Sequence, residues 1–95
     1  MDQRFWTVVY GADWEDIAYF ANFTTACKKL VVQTMGSLEN NFFPFIMEYN
    51  NDNGEYNKSS KTWWITDMTE FGKFDQEILK QDPSICFKLI ICNKK

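Results

Sequence analysis

Histidine is absent from this chain of 95 residues, and arginine occurs once, at Arg4. The first absence removes the usual general base, the commonest metal ligand and the usual partner of a serine or cysteine nucleophile. The second, with a net charge of −3, removes the clustered cations that a phosphate-tracking surface needs. The pairs Lys28–Lys29 and Lys94–Lys95 are too short for such a surface and read as solvated. Glycines 11, 36, 54 and 72 stand alone, so there is no glycine-rich phosphate loop. Cys27, Cys86 and Cys92 are an odd set and cannot pair fully. Cys86 and Cys92 fall on one expected strand, about 20 Å apart and beyond disulfide reach. All three read as free, buried thiols in a reducing compartment.

No apolar run approaches the ~18 residues of a membrane span. The opening MDQRFW lacks the charged-then-apolar pattern of a secretory signal. These features predict an intracellular protein that is not secreted and does not contact a membrane. The sequons at Asn22 and Asn57 then read as chance.

Aromatic residues are plentiful: nine Phe, four Trp and four Tyr, within an apolar content of 45%. The length sets one domain, 1–95. Two layers of that size need not hide all of it: either the Trp and Tyr rings sit half-buried with wet edges, which is ordinary, or the surplus forms an exposed apolar patch that marks a contact surface.

The run from Phe5 to Thr34 reads as strand, acidic turn, strand and helix. Trp6, Val8 and Tyr10 alternate with Phe5, Thr7 and Val9, and both sets are largely apolar, as in a central strand. Asp13, Glu15 and Asp16 make the turn acidic. Ile17, Tyr19 and Ala21 then alternate with Ala18 and Phe20, which predicts an antiparallel hairpin. Asn22 suits an N-cap, and Phe23, Ala26, Cys27, Leu30, Val31 and Thr34 recur at helical spacing, with Gly36 as the stop. Residues 42–49 predict a strand that Pro44 places at an edge or a bulge. Asn50 to Gly54 is a strong turn signal. Residues 55–61 read as polar and mobile, and Thr62 to Thr66 as strand. Asp67-x-x-Glu70 opens a second helix. Its stripe is Phe71, Phe74, Ile78 and Leu79, and Asp82-Pro83 ends it. Residues 85–92 predict a last strand whose apolar face is Ile85, Phe87, Leu89 and Ile91. The order is ββαββαβ, and the expected fold is α+β, a mainly antiparallel sheet of about five strands with two helices on one face.

No catalytic set is found, and neither a cofactor nor a metal is expected. The cluster Asp13, Glu15 and Asp16 has the oxygen chemistry of a hard-cation site but reads more simply as a solvated turn. The segment after Tyr49 fails as a calcium loop, because Tyr49 and Ser60 stand where carboxylates should. The pair Trp63-Trp64 is the sharpest candidate for binding. Adjacent strand residues point to opposite faces, so one indole enters the core and the other faces solvent or a partner. Tyr56 and Trp14 complete the candidate binding set.

The run WTVVY, WEDIAYF and ACKKL, within residues 5–34, resembles small uncharacterised α+β accessory proteins of large DNA viruses. Phe, Ile, Asn, Lys and Tyr supply 37 of the 95 residues, and their AT-rich codons suit an AT-biased genome. The resemblance implies a location in the host cytoplasm or the virion, and it carries over no catalytic residue.

The expected function is therefore a non-enzymatic interaction or structural role, through an aromatic sheet surface or a free sheet edge. The expected partner is another protein or a second copy, the latter by edge pairing through 42–49 or 85–92. Nucleic acid is not the expected partner, although base stacking on an exposed Trp is a second reading. A small carboxylate- and metal-dependent enzyme is a third.

Overall fold

A computed structural model describes residues 3–94. Its framework is one sheet of five strands: β1 (Gln3–Tyr10), β2 (Asp16–Phe20), β3 (Phe45–Asp52), β4 (Glu55–Ile65) and β5 (Ile90–Lys94). The spatial order is β2-β1-β3-β4-β5, and every neighbouring pair is antiparallel. Helix α1 (Phe23–Gly36) connects β2 to β3, which flank β1. Two short helices, α2 (Met68–Phe71) and α3 (Gln76–Gln81), and a 3-10 segment (Pro83–Leu89) connect β4 to β5. The fold is α+β, with the helices on one face of the sheet.

Helix α1 forms as its pattern dictates. The Asn22 side chain accepts from the Thr25 amide at 3.0 Å, and Ala26, Cys27, Leu30, Val31 and Thr34 are buried along one stripe. The helix runs through Gly36, and Ser37 caps it by donating its hydroxyl to the Gln33 carbonyl at 2.8 Å. Under α1 lie Val8 and Ile46, joined by Ile65, Phe71, Leu79 and Cys86 in a single core.

Strand β1 is central, as its two apolar faces require. Strand β3 is central too, which corrects the expectation of an edge strand at 42–49. Pro44 is fully buried just before the strand begins at Phe45, so its missing amide interrupts no ladder. Pairing of 42–49 with another chain's edge is thereby excluded in this fold. The turn after β3 narrows to Asn53 and Gly54, with φ of 55° and 85°, the left-handed pair of a type I′ hairpin.

Residues 55–61 are strand rather than mobile loop, because each finds a partner or continues a ladder. Tyr49 pairs with Lys58 and Asn51 with Tyr56, but Met47 pairs with Thr62. Strand β4 thus carries two more residues than β3 across this bulge, around Ser59 to Lys61. An even surplus leaves the alternation of faces intact on both sides.

The second expected helix is broken. Asp67 caps α2 by accepting from the Glu70 amide at 3.0 Å, and Gly72 closes it. Asp75 then caps α3, accepting from the Glu77 amide at 2.9 Å. The last strand also starts later than its apolar alternation predicts. Pro83 fixes a helical φ, Asp82 accepts from the Ser84 amide at 3.2 Å, and the chain stays helical to Leu89. Cys86, not Ile85, is buried there. Cys86 and Cys92 consequently lie on different elements, and Cys92 is exposed on the edge strand β5, which corrects the expectation that all three thiols are buried.

Candidate functional site

The register divides the strand residues cleanly. Trp6, Val8, Phe20, Ile46, Glu48, Trp63 and Ile65 share the face beneath the helices, since they meet as direct cross-strand partners. Phe5, Thr7, Tyr19, Met47, Tyr49, Thr62, Trp64 and Ile91 share the other. No helix covers that second face.

Its centre is an aromatic strip. The Phe5 ring stacks on Tyr49, with centroids 5.0 Å apart and planes 4° from parallel. Tyr56 meets Phe5 edge-on at 5.0 Å, and Tyr19 lies at 6.1 Å on the other side. These are favourable ring geometries. The strip spans β2, β1, β3 and β4, while its two ends remain open: Tyr19 is 69% and Tyr56 59% exposed. Thr7, the direct partner of Tyr19, is buried beside it, so the strip shields part of the sheet without being covered itself.

A groove of about 730 Å³ adjoins the strip over β3 and β4. Its walls include Trp14, Phe43, Phe45, Met47, Trp64 and Met68. Trp14 stands on the acidic turn, at a left-handed φ of 52°. Its indole donates to the Phe43 carbonyl at 2.9 Å and packs edge-on against Phe42 at 5.0 Å. That bond carries the turn across to the start of β3 and makes Trp14 one end of the groove.

The charge on this face is unusual for a protein in which 24% of residues are charged. Among the described strand residues of the uncovered face, Lys58 alone carries a charge. Lys58 lines the groove, and among the described residues no carboxylate does. Glu48, the remaining charge near the middle of β3, faces the helices. It is 4% exposed, accepts from Trp6 Nε1 at 3.3 Å and pairs with Arg4 at 3.8 Å.

Three of the four candidate residues therefore lie on the uncovered face: Trp14 and Trp64 in the groove, Tyr56 at the end of the strip. Trp63 does not join them. It lies under α1, 4.9 Å from Phe23, and lines a separate cleft of about 300 Å³ with Cys27 and Cys92. Phe5, Tyr19, Tyr49 and Lys58 were not among the sequence candidates. The alternation of Phe5 with Trp6 and of Tyr19 with Ala18 and Phe20 was visible, but the convergence of the four depends on strand order and register.

No protein-family model, curated protein or solved structure matches the chain.

The side chains offer little acid–base chemistry. Burial pushes the Cys27 thiol up to about 11 and raises that of Cys86 as well, so both remain protonated and inert at neutral pH. Asp13, Glu15 and Asp16 are exposed on the turn, and no three His, Cys, Asp or Glu side chains among the described residues gather as a metal site would require. The Gly11 φ of 101° lets the turn close against Asp16, whose carboxylate would lie 2.9 Å from any Cβ at that position.

Proposed function

We propose that this is a non-enzymatic interaction protein whose uncovered sheet face is its contact surface. One observation carries the reading: a whole face of the sheet is left without a covering layer, yet it bears a single charged strand residue, Lys58. A face that evolved to meet water alternates apolar-in with polar-out. Here both faces are apolar, and contiguous exposed apolar surface marks a place of contact. The Tyr-rich strip has the composition of an interface centre, where aromatics are enriched and charges depleted. Trp14, Tyr56 and Trp64 border it. The resemblance of residues 5–34 adds an accessory, virus-encoded role to the proposal.

Protein contact is favoured over base stacking by the same charge distribution. Single-strand readers set cations along the backbone path beside their aromatics, and this face supplies Lys58 alone.

The test uses the double variant Tyr19→Lys, Tyr56→Lys. Both side chains are exposed, so the fold should survive. Light scattering over a concentration series and affinity capture from producing cells are run on both proteins. The wild type is expected to associate, with itself or with a captured protein, and the variant to lose that association. A wild type that stays monomeric and captures nothing the variant fails to capture would overturn the reading.

A further inference from the structure

The groove beside the strip has its own chemistry, and it does not depend on the contact reading above. Its volume of about 730 Å³ falls in the range of small-molecule sites, which join apolar walls to a few placed polar groups. Trp14, Phe45, Met47 and Trp64 give the walls; Thr62 and Asn93 add neutral polar groups. The charge is one-sided, because Lys58 lines the groove and among the described residues no acid does. It is also polarised along its length. Phe45 begins β3 beside Trp14, whereas Lys58 pairs with Tyr49, four residues further along that strand. Asp13 and Glu15 flank Trp14 on the turn, away from Lys58, while Asp16 pairs with Tyr10 on the helix side of the sheet.

We propose that the groove binds a small amphiphilic monoanion, a free long-chain carboxylate, with its chain against Trp14 and Trp64 and its head at Lys58. Three features set that class. Apolar walls reward a hydrocarbon body. The lone ammonium, held on an apolar face without a carboxylate among the described groove residues, favours one anionic charge. Lys58 at one end, with the acids Asp13 and Glu15 next to Trp14 in sequence at the other, sets the direction of binding. A cationic amphiphile meets repulsion at Lys58, and a neutral one leaves the ammonium without a partner.

Dodecanoate, dodecanol and dodecyltrimethylammonium are titrated into the full chain by calorimetry, below their micellar concentrations and at low salt, with tryptophan fluorescence as a second readout. The carboxylate is expected to bind most tightly. Lys58→Gln should weaken dodecanoate about threefold and Lys58→Glu about tenfold, in keeping with a partly exposed ion pair, while dodecanol is unchanged. Trp64→Ala should weaken both. Lys58 is exposed, so its variants keep the fold, which thermal melts will verify. Absence of dodecanoate binding overturns the proposal. So does equal binding of the three amphiphiles, or binding indifferent to Lys58 and Trp64. Association with anionic vesicles but not with free dodecanoate would instead make the face a membrane-surface site and overturn it as well. A negative outcome leaves the strip's protein contact standing, since the Tyr19 and Tyr56 variants test that separately.

Discussion

Trp63 and Trp64 are consecutive residues of β4 whose indoles lie on opposite sides of the sheet, Trp63 against Phe23 under α1 and Trp64 in the open groove. Their consequences for stability should therefore differ. Trp63→Ala removes packing from the edge of the core and should cost about 3 kcal/mol, near the low end for a large aromatic. Trp64→Ala should cost about 1 kcal/mol or less, since its outer side has no partner atoms to lose. Urea denaturation of the two variants measures both values.

The Arg4–Glu48 pair should be worth more than its long distance suggests. Glu48 is buried, and without Arg4 it keeps only the Trp6 indole as a donor. Arg4→Ala should cost about 1–3 kcal/mol, mostly by leaving a carboxylate poorly satisfied. The exposed pairs Lys73–Glu70 and Lys80–Glu77 should each change stability by about 0.5 kcal/mol or less on removal. The same denaturation assay compares them.

Two glycines should respond to alanine with opposite signs. Gly54 has φ of 85° with open space around it, so Gly54→Ala should destabilise by about 1 kcal/mol through backbone conformation alone. Gly72 has an ordinary right-handed helical φ of −67°, and an added Cβ would sit 3.4 Å from the Met68 carbonyl. Gly72→Ala should stabilise by about 0.5 kcal/mol by restricting the unfolded chain. Paired thermal melts would show the opposite shifts.

Stability should fall in alkali partly because of Cys27. Its folded pKa, about 11, lies above the ordinary 9.0. Above pH 9 the unfolded thiol ionises while the folded one does not, so the unfolded state gains. The contribution is fully present below pH 9 and is lost as the pH rises to about 11. In Cys27→Ala that part of the slope should vanish, leaving the slope due to other groups. Urea midpoints measured from pH 7 to 11 for both proteins test this.

Much of the architecture was legible from local signals. Alternation in 5–10, the Asn22 cap and the stripe of α1, and the Asn53-Gly54 turn each determine their own segment. The misreadings came where tertiary placement outweighed pattern. Ile85, Phe87 and Leu89 alternate like a strand, yet Pro83 and the Asp82 cap start a helical turn that buries Cys86 in the core. Pro44 argued for an edge only so long as it lay inside β3; it lies just outside. The break between α2 and α3 was written in the sequence by a second Asp cap, Asp75, three residues after Gly72. The candidate site was legible in part. Opposite orientation of the two tryptophans follows from strand geometry, but which one faces the helices depends on register with β3. The strip joins residues up to 51 positions apart, Phe5 with Tyr56, and no local pattern contains that.

The two-residue surplus in β4 works as a spacer that is neutral in parity. Lys58 and Tyr56 stay on the same side as Thr62 and Trp64 because the extra length is even. Removing one residue from Ser59-Ser60 would leave the hairpin tip where its β3 partners hold it, Lys58 opposite Tyr49 and Tyr56 opposite Asn51, and would break the alternation at the bulge, between the strip and the groove. Removing both would close the bulge into a regular ladder and leave every face where it is. Cross-strand partners thus hold the strip and Lys58 on one face, and the bulge is the joint at which the groove end of β4 can be re-aimed without disturbing them.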